Sequence, residues 1–242
     1  MQHLGQTRSS YRRDHLLQTP DTFVRAPLPG MEKATAIVHI APAAGAQFTQ
    51  YTAEFEEGGT LGPTSAERFL YMLEGSISVA GKTLGPRAYA YLPPCASERI
   101  ESAEPARATV IEKPYVPLAG VAAPAMFISV EADLPAQPLL GDPDVLVRAL
   151  IPADTAFDFA VNTLTFAPGA ALPLVEIHVM EHGLLMLEGG GIYRLGDAWY
   201  PVTAGDFIWM APFCPQWFGA LGKTPAKYII YKDWNRHPLV TE

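Results

Sequence analysis

Short apolar runs recur along the whole chain, separated by Gly, Pro or charged positions. Ile77-Ser78-Val79, Tyr89-Ala90-Tyr91 and Thr109-Val110-Ile111 are rich in β-branched and aromatic side chains, as are residues 161–166, 183–187, 207–210 and 228–231. Such residues suit a pleated, half-buried surface, and Gly or Pro closes most of the runs. Many short strands at roughly regular spacing predict an all-β sandwich or barrel. Only residues 142–150 read as a short helix.

The runs also repeat. Phe69-Leu70-Tyr71-Met72-Leu73-Glu74-Gly75 returns as Gly183-Leu184-Leu185-Met186-Leu187-Glu188-Gly189. Gly85-Pro86-Arg87-Ala88-Tyr89-Ala90-Tyr91-Leu92-Pro93 is echoed by Gly205-Asp206-Phe207-Ile208-Trp209-Met210-Ala211-Pro212, and a cysteine, Cys95 or Cys214, follows each. The offset is 114 residues from Gly75 to Gly189 and 119 from Pro93 to Pro212, which predicts a longer hairpin around Gly196-Asp197 than around Gly81-Lys82. Internal repetition of this kind marks duplicated units. It predicts an N-terminal arm over 1–22, one barrel over 23–125 and a second over 126–242.

Composition narrows the functions. A chain of 242 residues, 49% of them hydrophobic, can build one large domain or two small ones with real cores. The 23 prolines and 20 glycines are dispersed, as turns between strands require. A net charge of -8, with no basic run, repels phosphate backbones and anionic membranes, so no nucleic-acid or membrane partner is expected. No stretch approaches the ~20 apolar residues of a membrane span. The segment after Arg12-Arg13 is too short and polar for a signal sequence. Two cysteines far apart in sequence offer no disulfide framework, and a cytoplasmic location is expected.

Two of the six histidines lie in Val175-Glu176-Ile177-His178-Val179-Met180-Glu181-His182-Gly183. On a strand, Glu176 and His178 would point to one face. His182 has the same parity, yet four extended residues span ~13 Å, so a tight bend within residues 179–181 must return the chain if all three share one ion. The spacing Glu-x-His-x3-His-x6-Gly, from Glu176 to Gly189, resembles the first motif of the cupin family with a carboxylate and an imidazole exchanged. Gly205, Pro212 and Gln216 approximate the second motif, with Cys214 where Gly is usual and Gln216 in place of the last histidine. Two nitrogens and two oxygens suit Mn²⁺ or Fe²⁺, while intrinsic affinity favours Zn²⁺ or Cu²⁺. In the first repeat the matching positions are Gly62, Thr64, Arg68 and about Ser97. None is a good ligand, so one metal per chain is expected.

The resemblance extends further. Tyr11-Arg12-x-Asp14, Phe69-Leu70-Tyr71 with Gly75, Lys113-x-Tyr115-Val116-Pro117, the Glu176–His182 segment, Gly205-Asp206, Gln216 and Tyr228-x-x-Tyr231-Lys232-Asp233-x-Asn235-Arg236 are similar to the (S)-ureidoglycine aminohydrolase family. That resemblance implies a bicupin of two tandem double-stranded β-helix (jelly-roll) barrels. It also implies a hydrolase of the allantoin branch of purine degradation that releases ammonia from (S)-ureidoglycine to give (S)-ureidoglycolate. Its ligands for Mn²⁺, with Fe²⁺ or Zn²⁺ as alternatives, fall on Glu176, His178, His182 and Gln216. Its catalytic and substrate-contacting residues fall on Tyr228 and Lys232, and a further pocket tyrosine falls on Tyr193. A small-molecule substrate and a homo-oligomer are expected, since bicupins commonly bury sheet edges between subunits.

Other readings compete on the same residues. A histidine in an apolar stretch is often a hydrogen-bonded structural group. His178-x-x-Glu181-His182 matches a metalloprotease string that needs a helix, and Pro173 and Gly183 oppose one. Two histidines and a carboxylate also form the facial triad of iron oxygenases. A cupin isomerase, or a bicupin that binds a ligand without turnover, would use the same scaffold.

Overall fold

Almost every apolar run becomes a strand in the computed structural model, which describes residues 6–236. The extreme ends of the expected arm and second barrel, residues 1–5 and 237–242, lie outside the described residues. The chain divides into two compact units, residues 24–133 and residues 1–23 together with 134–242. No helix among the described residues is long and apolar enough to cross a membrane.

The arm holds β1 (Ser10–Tyr11) and β2 (His15–Gln18). The unit of residues 24–133 holds β3 (Arg25–Ala26), β4 (Met31–Ile40), β5 (Thr49–Leu61), β6 (Glu67–Glu74) and β7 (Ile77–Val79), then β8 (Lys82–Leu84), β9 (Ala88–Leu92), β10 (Ile100–Glu101), β11 (Ala106–Lys113) and β12 (Phe127–Val130). The long strand β5 makes the sheet curl. Residues 49–55 pair with β11, whereas Thr60 and Leu61 pair with β10. Around the enclosed space pack Tyr51, Phe55, Leu61, Leu70, Met72, Val79, Leu92, Ile100 and Val110.

The second unit continues with β13 (Gln137–Leu139), β14 (Asp142–Ala149), β15 (Phe159–Phe166), β16 (His182–Glu188) and β17 (Gly190–Leu195), then β18 (Ala198–Thr203), β19 (Phe207–Met210), β20 (Gln216–Ala220) and β21 (Ala226–Asp233). An eight-stranded sheet runs β1-β2-β19-β16-β21-β15-β14-β13, and a three-stranded sheet runs β18-β17-β20. Leu164, Phe166, Leu184, Met186, Tyr228 and Ile230 of the larger sheet meet Tyr193, Leu195 and Phe218 of the smaller one in a single core. Phe218 is its hub, with ring centroids 4.9 Å from Phe166, 5.5 Å from Tyr193 and 5.7 Å from Tyr228.

Several expectations are corrected. Residues 142–149 of the expected helix 142–150 form strand β14 instead, with Val145 opposite Phe166 and Val147 opposite Leu164. A run that short carries too little periodicity to separate helix from strand. The first unit extends past residue 125, since Phe127–Val130 pairs with Tyr91–Ala88 before the chain crosses over. The arm is no separate segment: β2 pairs with β19, and Arg8 forms a two-pronged bond to the fully buried carboxylate of Asp206 at 2.5 and 2.9 Å. The hairpin around Gly196-Asp197 is the longer one, as expected: both turns have two residues, but its strands run six residues each against three around Gly81-Lys82.

Those hairpins place the repeats in register. Val79 lies opposite Ile100, and Leu195 lies opposite Gln216. The counterpart of Gln216 is therefore Ile100, not Ser97. Gln216 in turn bridges to Glu176, whereas Ile100 pairs with Leu61. Two buried apolar side chains thus stand where the second repeat places two polar ones. The recurring Glu-Gly also has a steric cause. Gly75 and Gly189 have φ of +66° and +64°, and a Cβ on either would come within 2.4 Å of a backbone oxygen.

Candidate metal centre

Strand registry aims a set of polar side chains inward. Leu164 lies opposite Tyr228, Asn162 opposite Ile230 and Ala160 opposite Lys232, while His182 and Met186 face Lys232 and Tyr228 from the other side. Directly opposed residues share a face, so Asn162, Tyr228, Lys232 and His182 look into the same space. They line a cavity of about 200 Å³ together with Glu176, His178, Tyr193, Gln216 and Met180, and Leu139, Val147, Leu164, Leu172 and Ile230 complete its apolar wall. All seven residues singled out from the sequence border this one cavity.

The segment before β16 is not the strand expected from sequence. Within residues 175–181 only Glu176 forms a bridge, exchanging backbone hydrogen bonds with Gln216 at 2.8 and 2.9 Å, and the chain then bends at Val179 and Met180. That bend lies where the ligand geometry requires one. It is pinned by buried polar groups: the Glu181 N–H donates to Asp233 Oδ1 at 2.7 Å, and Trp209 Nε1 donates to Glu181 Oε2 at 3.1 Å. The Phe213 N–H donates to the His178 carbonyl at 2.6 Å.

As a result, His178 Nε2 sits 3.2 Å from Glu176 Oε2, and the rings of His178 and His182 lie edge to face with centroids 5.3 Å apart. The Tyr193 hydroxyl donates to Gln216 Oε1 at a long 3.4 Å, leaving that oxygen room for a second partner. His182 is the most telling group. Both its ring nitrogens are buried without a hydrogen-bond partner of good geometry, the Tyr231 backbone offering only a weak contact. Burial, reinforced by His178 and Lys232, lowers its pKa to about 3, so the ring is a neutral imidazole, the form that binds metals. An orphaned neutral imidazole beside a carboxylate, a second imidazole and an amide oxygen fits a divalent cation. A structural histidine would have its nitrogens satisfied.

The remaining titratable groups are tuned by the same burial. Tyr228 and Tyr193 are held well above the ordinary tyrosine range by desolvation first, with Glu176 adding to each, so both stay protonated donors. Lys232 is lowered by burial, and Glu176 opposes the shift. Its Nζ stands 5.3 Å from the centroid of the Trp234 ring.

Sequence reasoning overlooked two features. Asn162 lines the cavity as the one polar residue on the inward face of β15, beside Ala160, Leu164 and Phe166, a face that only the strand pairing reveals. Asp14, His15 and Cys214 also form a tight cluster, their ligand-type atoms all within 4.8 Å of one another. Their bonding points elsewhere than a metal. His15 Nδ1 meets Asp14 Oδ1 at 2.9 Å and Nε2 meets the Tyr200 hydroxyl at 2.9 Å, while burial pushes the Cys214 thiol up to about 11. With the Ala211 N–H donating to the Asp14 carbonyl at 2.9 Å, the arm buttresses the loop that leads to Gln216.

Two curled all-β units, one with a polar ligand set at its centre, define a cupin of two barrels, and the Cupin domain family model matches residues 162–231. The chain is 43% identical to (S)-ureidoglycine aminohydrolase of Arabidopsis thaliana, an alignment covering 97% of this chain and 80% of that protein. It is 34% identical to (S)-ureidoglycine aminohydrolase of Escherichia coli (strain K12), covering 91% and 88%. The crystal structure of protein Ylba from E. coli superposes with a TM-score of 0.84 at 31% identity, covering 97% of each chain. The chain belongs to the (S)-ureidoglycine aminohydrolase family.

Proposed function

We propose that this chain hydrolyses (S)-ureidoglycine, releasing ammonia and leaving (S)-ureidoglycolate, at a divalent metal held by Glu176, His178, His182 and Gln216. The observation that carries the reading is the single cavity bordered by those four side chains and by Tyr193, Tyr228 and Lys232. Names of relatives at 34–43% identity over most of the chain supply the substrate. In the reaction the bond from the central carbon to its amino group breaks and a bond from that carbon to a water oxygen forms.

A bound cation would supply a Lewis acid that anchors electron-rich substrate groups and makes water more acidic. The donor set favours Mn²⁺, with Fe²⁺ or Zn²⁺ as alternatives. Lys232, beside His182 on the neighbouring strand, holds the substrate carboxylate by charge and hydrogen bond. Tyr228 and Tyr193, both kept protonated, donate hydrogen bonds and fix the substrate's orientation. Leu139, Val147, Leu164 and Ile230 exclude bulk water, which strengthens each of these polar contacts. Two free cysteines and no disulfide among the described residues suit a cytoplasmic enzyme, and a homo-oligomer accords with the sheet edges a bicupin must cover.

The test is ammonia release from freshly prepared (S)-ureidoglycine by protein loaded with Mn²⁺. Turnover that a chelator abolishes and Mn²⁺ restores is expected. No ammonia above the spontaneous rate would overturn the reading.

A further inference from the structure

Lys232 opens onto the cavity between His182 of β16 on one side and β15 on the other, and Asn162 of β15 lines the same cavity. Because Ala160 lies opposite Lys232 and Asn162 opposite Ile230, Asn162 is diagonally adjacent to Lys232 on the inward face. In the orientation that gives both amide atoms a complementary partner, the Asn162 side-chain oxygen accepts from Lys232 Nζ at 3.1 Å and its nitrogen donates to the Val161 carbonyl at 3.0 Å. Trp234 stands beside the same ammonium, 5.3 Å from ring centroid to Nζ. Lys232 is therefore held by two neutral groups, an amide and an aromatic face.

We propose that Asn162 is a positioning residue that fixes Lys232 for an anionic substrate group, and that its neutrality keeps the lysine's charge available to that group. The inference rests on the aminohydrolase reading. A four-carbon lysine stem has many rotamers, and a carboxylate ligand is recognised well only if the ammonium is already in place. An ammonium has three donors, and Asn162 occupies one of them. An aspartate of the same shape would also hold the ammonium, but its own charge would neutralise it at hydrogen-bond distance. The choice of amide over acid at residue 162 thus separates holding the lysine from competing for it.

The probe is ureidoacetate, which keeps the ureido and carboxylate groups of the substrate and lacks the amine that leaves. Its binding to Mn²⁺-loaded protein is measured by calorimetry for the wild type, Asn162→Ala and Asn162→Asp, together with metal content and thermal midpoint. Asn162→Ala weakens binding several-fold and Asn162→Asp on the order of a hundredfold, as for charges misplaced at a buried pair, with one metal per chain retained. With ureidoglycine, KM rises more than kcat falls. Should Asn162→Asp fail to fold, Asn162→Ser, which keeps a short neutral acceptor, gives intermediate binding. Wild-type affinity for ureidoacetate in Asn162→Asp, or in Asn162→Ala if only that variant folds, overturns the proposal. Asn162-dependent binding of ureidoacetate without turnover of ureidoglycine would remove the substrate reading and leave the positioning role standing. A wild type that does not bind ureidoacetate removes both.

Discussion

His182 and Lys232 face each other across the adjacent antiparallel strands β16 and β21, so a neutral imidazole and a cationic amine open onto one cavity from neighbouring strands. The pairing sets the distance between the two ends of any ligand held there. A cross-strand pair is separated by ~5 Å at the Cβ atoms, so one small ligand can reach both groups. The site is therefore small by construction.

Asp233 and Glu181 hold the bend on which that geometry depends. Asp233 Oδ1 accepts the Glu181 N–H at 2.7 Å immediately before His182. Asp233→Ala is expected to weaken Mn²⁺ affinity ~10- to 100-fold, the usual cost of removing a group that orients a ligand, with Asp233→Asn in between. Titration of free Mn²⁺ by electron paramagnetic resonance checks this. An unchanged dissociation constant would mean that the bend holds itself.

Arg68 does the opposite work in the unit of residues 24–133. At the position matching His182, its buried guanidinium donates from Nε to Glu112 Oε1 at 2.7 Å and from NH1 to the Gly62 carbonyl at 2.9 Å, and the Tyr51 hydroxyl joins the same carboxylate at 2.9 Å. An internal cation thus sits where the second unit has His182. Arg68→Met should destabilise this unit by about 3 kcal/mol, because Glu112 loses its counter-charge, and Arg68→Met with Glu112→Leu should recover much of the loss. Metal content should stay at one ion per chain in both. Denaturant melts and elemental analysis decide it.

How much of this was legible in the sequence depended on how local each feature was. Glu176, His178 and His182 lie within seven residues, and the motif spacing revealed them even though the segment is a bent loop rather than the strand assumed. Gln216 was found through the second motif, yet its counterpart was misplaced at about Ser97, because the loop after the proline is longer in the first unit, seven residues from Pro93 to Ile100 against four from Pro212 to Gln216, and spacing alone cannot register it. Asn162 and Asp233 were passed over. One polar residue in a strand is uninformative until pairing shows which face is inside. The arm misled for the same reason: β2 has an ordinary strand pattern whose partner, β19, lies 189 to 195 residues away in sequence.

His39 makes the first unit sensitive to acid. Its ring is buried, Nε2 meets Thr52 Oγ1 at 2.8 Å, and burial, with Arg107 adding, lowers its pKa to about 3. The unfolded chain takes up a proton near pH 6.5, whereas the folded one does so only near pH 3. Stability is therefore complete above pH 6.5 and falls by roughly 1.4 kcal/mol per unit as pH drops toward 3. His39→Gln should remove that slope, so the wild type should lose about 2 kcal/mol more than the variant between pH 6.5 and 5. His15 and His182 titrate equally in both chains, and the difference isolates His39. Parallel urea curves at the two pH values would refute it.

Metal addition separates the two ligand-type clusters of the second unit. A cation that binds the folded chain and not the unfolded one stabilises it by RT ln(1 + [M]/Kd), about 2.7 kcal/mol at a hundredfold excess over Kd. For a chain of this size that is on the order of 5–10 °C in thermal midpoint. If the ion sits among Glu176, His178, His182 and Gln216, His182→Ala abolishes the shift, since a buried imidazole whose nitrogens have no other good partner is lost and a cavity remains. Cys214→Val leaves it intact, because the Cys214 thiol is a protonated apolar filler and Asp14 and His15 are already satisfied by each other. Chelation reverses the shift in the wild type and in Cys214→Val and has no effect on His182→Ala. A shift that survived His182→Ala and vanished in Cys214→Val would move the ion to the arm cluster, leaving the cavity of Lys232 and the two tyrosines without its proposed metal.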